Sequence, residues 1–159
     1  MISLIDSQNS KISAPSATQR LGRIVRFSQG QFSLVLACCN SVNKQQQLLS
    51  LMEEFSPGVI AEIQVPATAQ TLYTTMANAL GDSKPSALMV RGLESVTAIN
   101  QLIISTNQMR DEFPKRFQFP VILWVNDDIL RKLIWLAPDL KDWAATTIRF
   151  EITPEYMVA

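Results

Sequence analysis

The residues best placed to do chemistry lie where an apolar run turns into a helix-forming one, in LVLACCNSVNKQQQLL over residues 34–49. A phosphate cradle at such a junction follows the pattern Gly, four residues, Gly-Lys-Ser/Thr. The glycines let backbone N–H groups curl around phosphate, the lysine neutralises it, and the hydroxyl binds magnesium. In that register the chain reads Cys38, then Cys39-Asn40-Ser41-Val42, then Asn43-Lys44-Gln45. Lys44 falls in place, and Asn43 tolerates a left-handed backbone better than most residues. Both glycines are missing and Gln45 stands where the hydroxyl is needed. The chain's five glycines are at 22, 30, 58, 81 and 92, none of them in this loop. The structural alternative is an ordinary strand-to-helix turn with Lys44 in solvent.

Magnesium at a phosphate also needs an acid, supplied from the end of another apolar strand. After the apolar run Ala87–Val90 that position is Arg91, followed by Gly92-Leu93-Glu94. A cation there repels the metal, so no metal site is expected, and ordinary ATP hydrolysis loses its charge neutralisation. Arg91 is instead expected to form an ion pair, with Glu94 or Asp127, and Glu94 to cap a helix. The run FPVILWVNDD ends in Asn126 and Asp127, which suit either sensing a terminal phosphate or capping the next helix.

Other chemistries are excluded by composition. The chain has no histidine, which removes His-based triads, His–Cys dyads and His-containing zinc sites. Its two cysteines, Cys38 and Cys39, are adjacent, so on a strand they point to opposite faces and an ordinary disulfide is not expected. They read as small buried hydrophobes; the alternative is Cys39 as a nucleophile at a helix start, with Lys44 as partner. Fourteen basic and fourteen acidic residues cancel, without the basic surplus of a strong nucleic-acid binder. Lys11, Arg20, Arg23 and Arg26 make the N-terminal region locally basic. No apolar stretch reaches membrane-spanning length and the start lacks a signal-peptide core, so a cytoplasmic protein without membrane partners is expected.

These residues are positioned by an alternating pattern. Residues 1–20 are rich in Ser, Gln, Asn and Thr and read as a mobile arm; 21–153 read as one α/β domain and 154–159 as a tail. GRIVRFS and FSLVLACC read as strands, as a hairpin or with the first at an edge. KQQQLLSLMEEF is a helix, VIAEIQV a strand, and Pro66 opens a helix that Gly81 stops. SALMVRG is a strand, ESVTAINQLIISTNQMRDEF one long amphipathic helix, FPVILWVND a strand buried on both faces, DILRKLIWLA a helix capped by Asp127 or Asp128, and TTIRFEI the last strand. Alternation of this kind predicts a three-layer α/β sandwich with a mostly parallel sheet of about five strands. Ligands then bind at the C-terminal strand edge, around 39–44, 66–68, 91–94, 126–128 and 152–154.

The element order and these edges resemble the nucleotide-binding core of the signal-transducing P-loop NTPases. GLES, RDEF, FPVILWVNDD and LAPDLKDWA look more closely like a degenerate domain of that type, found at the N-terminus of bacterial, particularly cyanobacterial, proteins with tetratricopeptide or WD repeats. The resemblance covers about residues 32–152. It implies a P-loop-like sheet with the 34–39 strand central, and a module of a larger signalling or scaffold protein. The positions matching the family's nucleotide site are Asn43, Lys44, Gln45, Arg91, Glu94, Asn126 and Asp127. With the glycines, hydroxyl and acid replaced, the expected function is a non-catalytic interaction or regulatory module without a cofactor; the alternative is ATP binding or slow hydrolysis through a divergent loop. The expected partner is a protein or an adjoining repeat domain, met by an apolar surface that includes Trp135, Trp143 and Tyr156.

Overall fold

Strands joined by helical crossovers return to the same end of the sheet and pair in parallel. The structure, a computed structural model, follows this rule and describes residues 14–55, 60–144 and 146–150. In chain order the elements are α1 (Ala14–Phe27), β1 (Ser33–Cys38), α2 (Val42–Phe55), β2 (Ile60–Gln64), α3 (Leu72–Leu80) and β3 (Ala87–Arg91). There follow α4 (Ile99–Gln108), α5 (Phe113–Arg116), β4 (Pro120–Val125), α6 (Asp127–Leu136), α7 (Pro138–Trp143) and β5 (Thr146–Arg149). The five strands lie in the order β2-β3-β4-β1-β5, every pair parallel. The expected three-layer α/β sandwich is the observed fold. Strand β1 is interior, between β4 and β5, while β4 holds the middle.

The strand order decides which helix covers which face. From β1 the chain moves outward past β4 and β3 to β2; every later step moves back the other way. A right-handed crossover changes face when its direction reverses. Helix α2 therefore lies on the face opposite α3, α4 and α6, and α1 joins α2. Alternating strand residues sort into two cores accordingly. Leu34, Leu36, Cys38, Val121 and Leu123 face one way; Val35, Ala37, Cys39, Ile122 and Trp124 face the other. All six residues of β4 are buried. Trp124 is fully buried, its indole N–H on Met89 Sδ at 3.2 Å and its ring 5.2 Å from that of Phe150. No helix among the described residues is long and apolar enough to cross a membrane.

Several local expectations are corrected. GRIVRFS is not a strand but the end of α1, which also takes in residues 14–20 of the supposed arm; residues 1–13 lie outside the described residues. Ala17, Leu21 and Val25, spaced by four, are all fully buried against the α2 face, and this helical stripe outweighs the β propensity of Ile24 and Val25. The long helix after β3 is broken into short turns at Leu93–Ser95 and Arg110–Glu112 around α4, with α5 after them. Pro66 opens a turn, and α3 starts only at Leu72, where the Thr71 hydroxyl accepts from the Thr74 N–H. The cap of α6 is Asn126, whose Oδ1 accepts from Ile129 N–H at 2.8 Å, not Asp127 or Asp128.

Gly92 ends β3 with φ of 90°, and a Cβ there would stand 2.3 Å from Gln64 Nε2 and 3.2 Å from the Val65 carbonyl. Gly30 also has positive φ, 80°, but open space around it. Gly30→Ala is expected to cost about 1 kcal/mol for the backbone alone, and Gly92→Ala about 2–3 kcal/mol because Gln64 must also move. Urea unfolding of the two variants, compared with the parent chain, checks that order.

Candidate functional site

In a sheet of this kind a ligand crevice opens where neighbouring strands send their connections in opposite directions. Here that point lies between β1 and β4. Only Cys39, Asn40 and Ser41 separate β1 from α2. Cys39 extends the ladder, its N–H on the Val125 carbonyl at 2.8 Å. Ser41 caps α2, its hydroxyl accepting from the Lys44 N–H at 3.1 Å. The helix thus begins two residues ahead of Lys44, and the first-turn N–H of Lys44 is already satisfied. Lys44 is half-buried and Asn43 exposed.

Gln45 and Arg91 meet beneath this turn. Arg91 shares a strand face with Met89, so its side chain rises under α2, where Gln45 is 3% exposed and Arg91 7%. Arg91 Nε donates to Gln45 Oε1 at 3.3 Å, and Gln45 Nε2 donates to the Cys39 carbonyl at 3.2 Å. Arg91 Nη1 reaches Gln46 Oε1 at 2.8 Å and Glu62 Oε1 at 2.9 Å. The guanidinium so ties β3, β2, α2 and the end of β1 together. Its carboxylate partner is Glu62, not Glu94 or Asp127; Glu94 is exposed in the turn after Gly92. Removing Gln45 leaves a buried carbonyl and a buried guanidinium N–H short of partners, each costing about 1–3 kcal/mol.

A second cluster straddles the end of β1. Cys38 is in register with Val125 of β4 on one side and Arg149 of β5 on the other. Asp127, just past β4, reaches across: Arg149 Nη1 donates to Asp127 Oδ1 at 2.6 Å. Asn40 makes a reciprocal pair with Asp127, its Nδ2 donating to Oδ2 and its Oδ1 accepting from the Asp127 N–H, both at 2.9 Å. The Cys38 thiol lies under this bridge, 3.4 Å from Asp127 Oδ1 and 3.7 Å from Arg149 Nη1. The Arg149 and Asn40 bonds hold the Asp127 carboxyl down at about 2. Burial, then the hydrogen bond to Asp127, pushes the Cys38 thiol up to about 12, and burial also raises Cys39. Both are buried free thiols, poor nucleophiles in this state. Among the described residues no group of three His, Cys, Asp or Glu side chains could hold a metal.

The expected site residues are thus split. Asn43, Lys44, Asn126 and Asp127 lie around the switch point, Gln45 and Arg91 are buried below it, and Glu94 stands apart. Of the expected apolar surface, Trp135 is 81% exposed on α6, whereas Trp143 stacks on Phe32 at 5.3 Å at the opposite edge of the sheet. Tyr156 lies outside the described residues. Sequence reasoning missed Asn40, Glu62 and Arg149. The signal was there: Glu62 and Arg149 are charges inside apolar strands, and such charges need partners.

Two measurements follow. Gln45→Ala is expected to lower stability by about 2–4 kcal/mol in urea unfolding, against less than about 1 kcal/mol for Gln47→Ala on the exposed face of the same helix. Asp127→Asn tests the bridge. A carboxyl held below its unfolded value contributes stability above about pH 4, which is lost as the pH falls toward 2. With Arg149 and Asp127 side chains 34% and 41% exposed, the contribution is at most about 1 kcal/mol. The stability gap between the parent chain and Asp127→Asn should therefore be present at pH 6 and close between pH 4 and 2, as read by urea midpoints at each pH. No protein-family model matches the chain, and neither does any curated protein.

Proposed function

We propose that the chain is a non-catalytic interaction or regulatory module on a P-loop-like sheet in which nucleotide chemistry has been replaced by internal bonds. The hydrogen bond between Gln45 and Arg91 carries this reading. In the phosphate register these two positions correspond to the magnesium-binding hydroxyl and the magnesium-binding acid. Here an amide and a guanidinium stand there instead and bond to one another. The Asp127 carboxylate beside the turn is likewise committed, to Asn40 and Arg149. Beyond the geometry, the resemblance supports a cytoplasmic bacterial module of a larger signalling or scaffold protein, with a protein or adjoining repeat domain as partner and no cofactor.

A second reading, ATP held by Lys44 with Glu94 or Asp127 polarising water, draws on the place of Lys44 in the first turn of α2 beside the switch point. The commitment of Asp127 to Arg149 counts against it. The two readings differ in a thermal-shift titration. A ligand at a hundred times its Kd stabilises by about 2.7 kcal/mol, several degrees for a domain of this size. We expect no shift with MgATP up to about 1 mM, in the parent chain and Lys44→Ala alike. An upshift lost in Lys44→Ala, or phosphate release above the blank, would overturn the non-catalytic reading.

A further inference from the structure

The edge of the sheet opposite the switch point carries three clefts that share walls. The first, about 580 Å³, lies beneath Trp143 and Phe32 and is bounded by Gly30 and Gln118. The second, about 320 Å³, shares Gly30 and Gln118 with it and adds Lys84, Ser86 and Arg116. The third, about 450 Å³, shares Lys84 and Arg116 with the second and runs to Gly81 and Asp82. Together they form one groove across the N-terminal ends of β1, β3 and β4. The first and third clefts share no residue and meet only through the second, a serial arrangement that suits an extended chain better than a compact small molecule.

The chemistry of its walls changes along its length. At one end the stacked Phe32–Trp143 pair, with Trp143 38% exposed, offers a flat apolar platform. In the middle the amide side chains of Gln31 and Gln118 can serve backbone N–H and carbonyl groups. At the other end stand two exposed cations. Lys84 makes no hydrogen bond or ion pair among the described residues. Arg116 makes one long bond, from Nη2 to the Gly81 carbonyl at 3.4 Å, and has no carboxylate partner there. Its remaining guanidinium donors are uncommitted. Among the described residues Asp82 is the single carboxylate lining the groove. The salt-bridged cations Arg91, Arg110, Lys115, Arg131 and Arg149 line none of these clefts.

We infer that this groove binds an extended acidic peptide segment, with carboxylates at Lys84 and Arg116 and an aromatic or proline side chain against Trp143. The inference gives the proposed interaction module a surface and a partner chemistry, and rests on that reading only for the expectation of a protein partner. The MgATP titration probes the other edge, so the two ideas fail separately.

The test is a display library of random twelve-residue peptides selected on the full chain and depleted on the Lys84→Glu/Arg116→Glu variant. Both positions are exposed, so the variant is expected to fold, and Lys84→Gln/Arg116→Gln provides a milder second depletion. Enriched peptides should be net acidic with an aromatic residue or proline. In fluorescence anisotropy they should bind the double variants about tenfold or more weakly. Trp143→Ala should weaken them severalfold while leaving the acidic preference intact. Failure to enrich, enrichment of neutral or basic peptides, equal binding to the double variants, or equal displacement by a twelve-residue thymidine oligonucleotide would each overturn the inference, the last by showing a generic anion surface.

Discussion

The buried guanidinium of Arg91 is the constraint on which the rest of this fold's C-terminal edge depends. A cation that is 7% exposed needs hydrogen-bond partners to offset its desolvation. Three partners meet that need, Gln45 and Gln46 above and Glu62 beside it, and Gln45 is tied in turn to the carbonyl of Cys39. The consequence reaches beyond stability. Gln45 has to lie on the inner side of α2, which sets the rotation of that helix about its axis. The same rotation buries Leu48 one turn on and leaves Asn43 and Gln47 outside. The turn between β1 and α2 is then short and capped by Ser41, with little slack in its backbone to wrap around a ligand.

The Asp127–Arg149 bridge secures the same edge from the other face. It joins the strands on either side of β1 across the top of that strand, over the Cys38 thiol. The two clusters differ in kind. The Arg91 cluster centres on a buried guanidinium and a buried amide, Gln45, while its carboxylate Glu62 is 43% exposed, so water reaches it from one side only. The Asp127 cluster is open to water and contributes less to stability, while fixing where α6 begins. Between them the edge at which α/β sheets usually take ligands is largely bonded to itself, while the groove with uncommitted cations lies at the opposite end of the strands. This division fits the proposed reading, in which partners are met by surface recognition.

The overall layout was legible in the sequence because alternation of apolar runs with helical stretches is a global pattern, and β4, apolar at every position, could only be an inner strand. Local choices were less legible. GRIVRF contains β-branched and aromatic residues that favour a strand, and only the burial of Ala17, Leu21 and Val25 on one stripe reveals a helix. Asn126, Asp127 and Asp128 are all good caps by type. Which of them caps depends on where β4 ends against β1, and Asp127 is drawn away to Arg149.

By itself the sequence determined the fold class, the parallel sheet, the opposite facing of Cys38 and Cys39, and the absence of glycines, hydroxyl and acid from the phosphate register. Each of these depends on residue type or on spacing within one element, where a 2.0 or 3.6 repeat is enough. Only the tertiary structure decided that Arg91 pairs with Glu62, that Gln45 bonds to Arg91, and that Asp127 reaches Arg149. Those partners are separated by 22 to 46 residues along the chain. They become neighbours because the order β2-β3-β4-β1-β5 sets β3 beside β2, brings α2 over β3, and places β1 between β4 and β5. Strand order is a property of the whole sheet, and no local pattern in the chain encodes it.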